Sequence, residues 1–210
     1  MNITVIGASA GVGLATVKRA LQRNHKVTTL SRSPIQLPAS ENLIQISGSA
    51  TNKSDLSKAI QNADAVIIAL GTGKSMKATT LYSDFAKLLL ELHSENKYRQ
   101  PFICLTGFGA GDSGAYNALF MKIFFSLLLK SVYADKTIME ELIAKSDLKW
   151  EIVRPGLLTD KPLTENYRTE TKLYKGINIG SISRDDVADF MVKQAEQPTY
   201  LSQYPALSTK

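Results

Sequence analysis

The stretch Ile3-Thr4-Val5-Ile6-Gly7-Ala8-Ser9-Ala10-Gly11-Val12-Gly13 decides how this chain folds. Its first four residues form a β-rich run that ends at Gly7, and apolar residues recur at helical spacing from Gly11 to Arg23. The small residues between the two elements allow a tight turn, and N–H groups at the start of a helix bind anions. This strand, turn and helix therefore predict a site for the diphosphate of a dinucleotide.

Strands and helices alternate along the rest of the chain. Apolar or β-rich runs predict strands at residues 26–30, 42–46, 65–70, 101–105 and 150–153. Helical patterns cover residues 54–60, 80–95, 131–146 and 184–196, with Ser54 and Ser183 as caps of the first and last. Such alternation builds a parallel sheet through right-handed crossovers. We expect an α/β fold, a Rossmann-type doubly wound parallel sheet in a single domain over residues 1–210. Residues 155–182 are expected to form substrate-side loops, a small C-terminal elaboration.

Composition narrows the classes of protein to consider. The 210 residues are 44% hydrophobic and 21% charged, with 25 Lys and Arg against 19 Asp and Glu, an ordinary globular balance. The single cysteine, Cys104, excludes an internal disulfide, and we expect it to pack in the core. With only two histidines, no metal site is expected. The basic residues are scattered, which argues against nucleic-acid binding. No segment has the roughly 20 apolar residues of a membrane span, and no signal peptide is evident, so we expect a cytoplasmic protein.

Two other motifs overlap the glycine-rich segments. Residues Gly7 to Gly11 also fit the G-x-S-x-G turn that carries the nucleophile of many esterases. Such an enzyme needs an earlier strand and loop for its oxyanion hole, but only six residues precede Gly7. Gly73-Lys74-Ser75 resembles the end of a P-loop, but Ile68 stands where the first glycine is required. Dinucleotide binding therefore remains the preferred interpretation.

The end of the second strand indicates which dinucleotide is bound. NAD-binding units place an acidic residue about 20 residues past the glycines, where it accepts hydrogen bonds from the ribose. This chain has Thr29-Leu30-Ser31-Arg32-Ser33 there, without a carboxylate. Arg32 offers a charged, forked donor, and Ser31 and Ser33 offer hydroxyls, a set that suits a 2′-phosphate. We therefore predict NADP(H) rather than NAD(H), with a merely solvated Arg32 as the alternative.

Motifs that follow several strands carry a family resemblance. They are the glycine turn, Ala69-Leu70-Gly71, Leu105-Thr106-Gly107 with Gly109-Ala110-Gly111-Asp112-Ser113, and Val153-Arg154-Pro155-Gly156. In this combination the chain resembles the atypical short-chain dehydrogenase/reductases over nearly its whole length. More narrowly, it is similar to their NAD(P)H-binding branch, which includes NmrA-like regulators and the flavin and biliverdin-IXβ reductases.

The resemblance implies a role for each matching segment. Residues 7–13 would hold the diphosphate, Arg32 the adenosine phosphate, and residues 69–71 the adenine–ribose side of the groove. Thr106 and Gly107 would lie near the nicotinamide, and residues 155–157 would contact its carboxamide through the backbone. The cofactor-binding candidates are Gly7, Ser9, Ala10, Gly11, Val12, Gly13, Ser31, Arg32, Ser33, Ala69, Leu70, Gly71, Thr106, Pro155, Gly156 and Leu157.

The chain also departs from the family pattern. The orthodox enzymes carry Tyr-x-x-x-Lys, in which the lysine lowers the pKa of a catalytic tyrosine, but here Tyr133 precedes Lys136 by three positions. Three positions still share one helical face, so the sequence allows a Tyr133–Lys136 pair. The branch usually has its middle glycine at the position of Ala10, and commonly an acidic residue where Gly48 and Ser49 stand.

Thr106 and Lys136 are the candidate catalytic residues. Thr106 stands where the orthodox enzymes carry a catalytic serine or threonine, and Lys136 matches a lysine that members of the branch often keep. Glu140 follows Lys136 by one helical turn, so an ion pair along the helix is the alternative role of the lysine.

The missing tyrosine–lysine spacing favours an acceptor that needs no tuned acid. Reduction of a simple carbonyl develops an alkoxide that must be protonated, whereas a flavin or quinone delocalises the charge. We therefore predict an NADP(H)-dependent oxidoreductase that transfers hydride to a flavin, a quinone or a similar planar acceptor, with Gly107, Phe108 and Tyr116 near that substrate. Two alternatives stay open: a non-catalytic protein that senses NADP and reports to a partner, and an NAD(P)-dependent epimerase or dehydratase.

Residues 118–129 are apolar on almost every side. This pattern predicts a buried helix or an interface with another subunit or protein partner, as in a homodimer. A flap over a planar substrate is the alternative. Binding to a membrane surface is disfavoured, because the segment carries little charge.

Overall fold

The computed structural model describes residues 1–73, 78–116 and 130–210. Within these ranges the strands are β1 (Asn2–Ile6), β2 (Lys26–Ser31), β3 (Leu43–Ser47), β4 (Ala65–Ile68), β5 (Pro101–Leu105), β6 (Lys149–Pro155), β7 (Leu157–Thr159), β8 (Tyr167–Glu170), β9 (Ser181–Ser183) and β10 (Ala206–Thr209). The α-helices are α1 (Gly11–Gln22), α2 (Lys53–Ile60), α3 (Leu81–Asn96), α4 (Lys130–Ala144) and α5 (Arg184–Glu196), and a 3-10 helix covers Gly111–Tyr116.

The main sheet has the strand order β3-β2-β1-β4-β5-β6-β10-β8. Neighbouring strands run parallel from β3 to β10, and the edge strand β8 pairs antiparallel with β10. From β1 the chain builds outward through β2 and β3, then returns to build β4, β5 and β6 on the other side. Doubly wound sheets bind their ligands at such a reversal, where the loops after β1 and β4 diverge. The predicted Rossmann-type fold is confirmed.

Helices cover both faces of the sheet. On one face α1 and α5 pack against the sheet and each other, with Val17 and Val187 fully buried. On the other face α2, α3 and α4 bury residues such as Leu56, Phe85 and Met139. Burial of a side chain of this size contributes about 1.5–3 kcal/mol. This packing fixes where each helix begins relative to the carboxyl ends of the strands.

The two predicted helix caps have different outcomes. Ser183 caps α5 as expected, because its side chain accepts a hydrogen bond from the N–H of Asp186. The prediction of Ser54 as the cap of α2 is wrong. The helix begins earlier, at Lys53, and the side chain of Asn52 accepts the hydrogen bond from the N–H of Asp55.

Residues 155–182 are more regular than expected. They contain β7 and β9, which form a separate parallel pair, and β8, which lies on β10. The strand β10 was not identified from the sequence either. These strands have only three or four residues each, too few to show a periodic pattern, so they form where packing brings them beside another strand.

The apolar segment 118–129 lies outside the described residues, so its role as a partner or homodimer interface stays a prediction. Within the described ranges, no helix is long and apolar enough to cross a membrane.

Candidate functional site

The turn between β1 and α1 is built on two glycines. Gly7 has a left-handed backbone (φ +85°), and a Cβ on it would lie 2.5 Å from the carbonyl oxygen of Ala69, just after β4. A Cβ on Gly13 would overlap the carbonyl oxygen of Gly7. Both positions therefore require glycine, because a side chain would separate α1 from β1 or β1 from the segment after β4.

The start of α1 presents N–H groups to a ligand. Ala10, the N-cap residue, has no side-chain acceptor for them, and the first turn contains no acidic residue. Gly11 is exposed. Val12 and Gly13 are buried, so they can offer a ligand only backbone atoms. Free donors at the positive end of a helix dipole suit a phosphate group.

The backbone of the turn explains why this chain can have Ala10 and Gly11 where the resembling family usually has a glycine at position 10. Ala10 adopts an extended backbone (φ −157°, ψ 171°) that any residue can take. Gly11 takes the left-handed conformation (φ +56°) that favours glycine. Ser9 precedes them and is half-buried. The turn therefore accommodates this departure from the family pattern.

The three residues predicted to bind the adenosine phosphate differ in availability. Ser31 is buried, and its hydroxyl donates a hydrogen bond to the carbonyl oxygen of Ser33 at 2.7 Å. Arg32 and Ser33 are exposed. Within the described part of the chain, Arg32 has neither an ion pair nor a hydrogen bond through its side chain. Ser31 thus shapes the turn, and Arg32 is the cation available to a phosphate.

Asp55 of α2 lies against Gly48 and Ser49, just after β3. No sequence pattern indicated this position. The Oδ2 atom of Asp55 accepts a hydrogen bond from the N–H of Ser49 at 2.8 Å, and it would lie 2.5 Å from a Cβ on Gly48. The N–H of Gly48 donates to the carbonyl oxygen of Ser31 at 3.1 Å. A carboxylate therefore stands after β3, where the family commonly has one. It comes from α2, because Gly48 leaves room for it.

Ala69, Leu70 and Gly71 form the other wall of the turn. The N–H of Ala69 donates to the carbonyl oxygen of Ile6 at 2.8 Å, and its own carbonyl oxygen crowds Gly7. Ala69 is buried, whereas Gly71 is exposed. The backbone of this segment therefore borders the carboxyl ends of β1 and β4.

Thr106 and Lys136 come together after β5. The Nζ atom of Lys136 donates a hydrogen bond to the carbonyl oxygen of Thr106 at 2.7 Å. The same ammonium lies 5.0 Å from the ring centre of Tyr133 and 5.4 Å from that of Tyr82. Burial lowers the pKa of Lys136 to about 8, against the opposing effect of the Glu140 carboxylate. Lys136 therefore anchors the backbone after β5, and it gives up its proton more readily than an ordinary lysine.

The hydroxyl of Thr106 is engaged inside the protein. It is buried and donates to Oε1 of Glu140 at 2.6 Å. Glu140 also accepts two hydrogen bonds from Arg154, at 3.2 Å from Nε and 2.7 Å from Nη2. The alternative of a Lys136–Glu140 ion pair along α4 is therefore wrong, because the carboxylate pairs with Arg154 and the ammonium with Thr106.

Arg154 extends this network toward the surface. Its Nη1 atom donates to Oδ1 of Asp112 at 2.6 Å, and its guanidinium lies 4.1 Å from the ring centre of Tyr204. A Cβ on Gly111 (φ +54°) would lie 2.5 Å from both Arg154 and Glu140. The buried ion pair therefore holds the segment after β5 in place. Gly111, Asp112 and Arg154 lie in the Gly-Asp and Arg-Pro-Gly motifs, but spacing along the chain did not reveal that Arg154 pairs with Asp112 and Glu140.

Tyr133 does not have the environment of an activated acid. Burial raises its pKa to about 12, with Tyr82 and Glu140 acting in the same direction. Lys136 lies over the face of its ring. The hydroxyl oxygen would lie 2.8 Å from a Cβ on Gly107, so this glycine makes room for it. The arrangement opposes ionisation, whereas the orthodox tyrosine–lysine pair promotes it.

The backbone of residues 155–157 is partly engaged by neighbouring strands. The N–H groups of Gly156 and Leu157 donate, both at 2.9 Å, to carbonyl oxygens of β10 and of the residue before β9. The carbonyl oxygen of Pro155 accepts from the N–H of Phe108 at 2.8 Å. A carboxamide bound here would therefore have to contact backbone atoms that these hydrogen bonds leave available, or the exposed side chain of Leu157.

The aromatic residues predicted near the substrate are placed differently. Phe108 is buried against Ile177 and Ala206, and its predicted place near the substrate stays a prediction. Tyr116 is exposed and remains a candidate. Cys104 is fully buried in β5 as expected, and burial raises the pKa of its thiol.

Among the side chains that the structure describes, no group of three or more His, Cys, Asp or Glu is arranged to hold a metal ion.

Comparisons with known proteins show the family of this chain and its fold. Residues 7–198 match the family described as NAD(P)H-binding. A candidate NADH-flavin reductase from Streptococcus pneumoniae has a similar structure, with 25% identity and a TM-score of 0.80 over 100% of both chains. A short-chain dehydrogenase/reductase from Veillonella parvula, solved in complex with NADP, has 19% identity and a TM-score of 0.80 over 99% of this chain and 94% of its own. A candidate NAD-dependent epimerase/dehydratase from Bacillus halodurans has 19% identity and a TM-score of 0.79 over 100% of this chain and 94% of its own. The last two similarities show the shared fold alone.

Proposed function

Because the chain belongs to the NAD(P)H-binding family, we propose that it is an NADP(H)-dependent oxidoreductase that transfers hydride to a flavin, a quinone or a similar planar acceptor. The observation that carries this proposal is the open N-terminus of α1, which follows a turn that only glycine can form. The description of the Streptococcus pneumoniae protein as a flavin reductase supports the class of acceptor.

Each wall of the proposed cofactor site has a defined task. Backbone N–H groups in the turn of residues 7–13 bind the diphosphate, apart from that of Gly7, which donates to the carbonyl oxygen of Leu30 at 2.9 Å. Arg32, exposed at the end of β2, binds the 2′-phosphate and so favours NADP(H). Residues 69–71 border the adenine–ribose half, and Gly107 with residues 155–157 borders the nicotinamide half. The strands and loops of residues 155–182 then form the substrate side.

The choice of acceptor follows from the residues around the nicotinamide half. The bound cofactor would supply the hydride. Thr106 acts through its backbone, because its hydroxyl donates to Glu140, and Tyr133 has a raised pKa. Lys136 holds the carbonyl oxygen of Thr106 and keeps a positive charge behind this surface. A positive charge stabilises an acceptor that becomes a delocalised anion, and water can protonate such an anion.

Turnover with a panel of acceptors tests the proposal. We expect purified protein to oxidise NADPH with flavins or quinones, and to do so much more slowly with aldehydes. If the protein binds NADPH but turns over no acceptor, the result would instead favour the alternative of a non-catalytic protein that senses NADP. Turnover restricted to simple carbonyl compounds would contradict the proposed acceptor class.

The coenzyme preference is tested at Arg32. Arg32→Glu should raise the Kd for NADPH at least tenfold, since a charged hydrogen bond contributes about 1.5–3 kcal/mol, and should leave the Kd for NADH nearly unchanged. Arg99→Glu is the matched control, because Arg99 is exposed just before β5, at the amino edge of the parallel strands. Equal effects of the two variants on NADPH would contradict the role of Arg32.

A further inference from the structure

Arg184 lies next to the glycine turn although it is remote in sequence. It is the first residue of α5, and α5 packs against α1. Its Nε atom lies 4.0 Å from the position that a Cβ on Gly11 would occupy. The guanidinium therefore flanks the same end of α1 that presents its N–H groups.

A cleft of about 280 Å³ opens between α1 and the start of α5. Its lining includes Gly11, Lys18, Asp160, Lys161, Arg184 and Asp185. Three of these side chains are cationic and two are anionic, and Lys18 and Lys161 are exposed. The cleft thus has a net positive charge, and it borders the first residue of α1. It can therefore admit a phosphate group of a ligand bound at the start of this helix.

The ion pair that Arg184 now makes is easily exchanged. Its Nη1 atom lies 2.6 Å from Oδ1 of Asp160, and the side chain of Asp160 is 91% exposed. Exposed pairs of this kind contribute little to stability, because water solvates both charges. A diphosphate carries more charge than a carboxylate and offers more acceptor atoms, so it would compete successfully for the guanidinium.

We infer that Arg184 is a further cofactor-binding residue, which exchanges Asp160 for the diphosphate of the dinucleotide. This inference rests on the proposed binding of the dinucleotide at the glycine turn. Asp160 serves as the internal counter-ion of Arg184 while the site is empty, and it therefore competes with the ligand. Removal of the arginine weakens binding, and removal of the aspartate strengthens it.

Isothermal titration calorimetry with NADP⁺ and 2′-AMP tests this exchange, since 2′-AMP has the adenosine phosphate but no diphosphate. We expect Arg184→Gln to weaken binding of NADP⁺ roughly tenfold and to leave 2′-AMP unaffected. Asp160→Asn should strengthen binding of NADP⁺ several-fold at low ionic strength, also without effect on 2′-AMP. In the double variant, Asp160→Asn should have no further effect. Arg99→Gln, at the opposite edge of the sheet, is the control for loss of one positive charge.

The outcomes separate this inference from the proposed function. Unchanged NADP⁺ affinity in Arg184→Gln, or weaker binding in Asp160→Asn, would overturn the role of Arg184. An equal loss of 2′-AMP binding would also overturn it, because the arginine would then act on the adenosine phosphate or on the fold. If the unaltered protein binds NADP⁺ but reduces no acceptor, the proposed activity fails while the inference about Arg184 still holds.

Discussion

Substitution of Glu140 by glutamine tests whether the buried network holds the site together. Glu140 is 2% exposed and Arg154 3%, and two hydrogen bonds join them, while a third comes from the hydroxyl of Thr106. Glutamine removes the negative charge and directs an NH₂ group toward a donor. The remaining anionic partner of Arg154 among the described residues would be Asp112, whose side chain is 71% exposed. Breaking a buried ion pair in this way costs about 3–5 kcal/mol of unfolding free energy.

Urea unfolding followed by circular dichroism measures this loss, with Glu141→Gln as the matched control. Glu141 is the next residue on α4, its side chain is 62% exposed, and it lies 4.0 Å from Lys145, so its loss should cost no more than about 0.5 kcal/mol. A double variant, Glu140→Met with Arg154→Met, should recover part of the stability, because it leaves no unpaired buried charge. If Glu140→Gln and Glu141→Gln lose unfolding free energies that differ by less than about 1 kcal/mol, the role assigned to the network is refuted.

Three further predictions concern pH and packing. Burial raises the pKa of Glu151 to about 7, so the native state binds a proton more tightly than the unfolded chain. The free energy of unfolding should therefore fall by roughly 2–3 kcal/mol as pH rises from about 5 to 8. Urea titrations of Glu151→Gln should not show this fall. Burial lowers the pKa of Lys136 to about 8, so stability should rise with pH between about 8 and 10; a Lys136→Met variant that kept this rise would contradict the assignment. Gly13→Ala should lose about 1–3 kcal/mol of unfolding free energy and most of its affinity for NADP⁺, as measured by thermal shift and calorimetry. Gly180→Ala is the control and should lose neither, because a Cβ on Gly180 meets nothing within 4 Å in the described structure.

Local features of the sequence were enough to predict the fold and the position of the glycine turn between β1 and α1. The strand ending at Gly7, the helix from Gly11 and the all-apolar β4 each carry a recognisable pattern within a few consecutive residues. Helical periodicity and the conformational freedom of glycine are properties of short segments, so they can be recognised without a structure. The exposed position of Arg32 follows in the same way from the end of β2.

The side-chain partners of the charged residues after β5 and around the glycine turn could not be obtained from spacing along the chain. A Lys136–Glu140 pair one helical turn apart was the alternative role that spacing offered for the lysine, but Glu140 pairs with Arg154 on β6. Asp55 reaches Gly48 from α2, and Arg184 reaches the start of α1 from α5. Each of these contacts joins separate elements, and their distance depends on how helices pack on the two faces of the sheet. Sequence patterns thus determined most of the helices and strands and the glycine turn. Tertiary packing alone decided which charges meet, because no local rule specifies how close residues on different elements come.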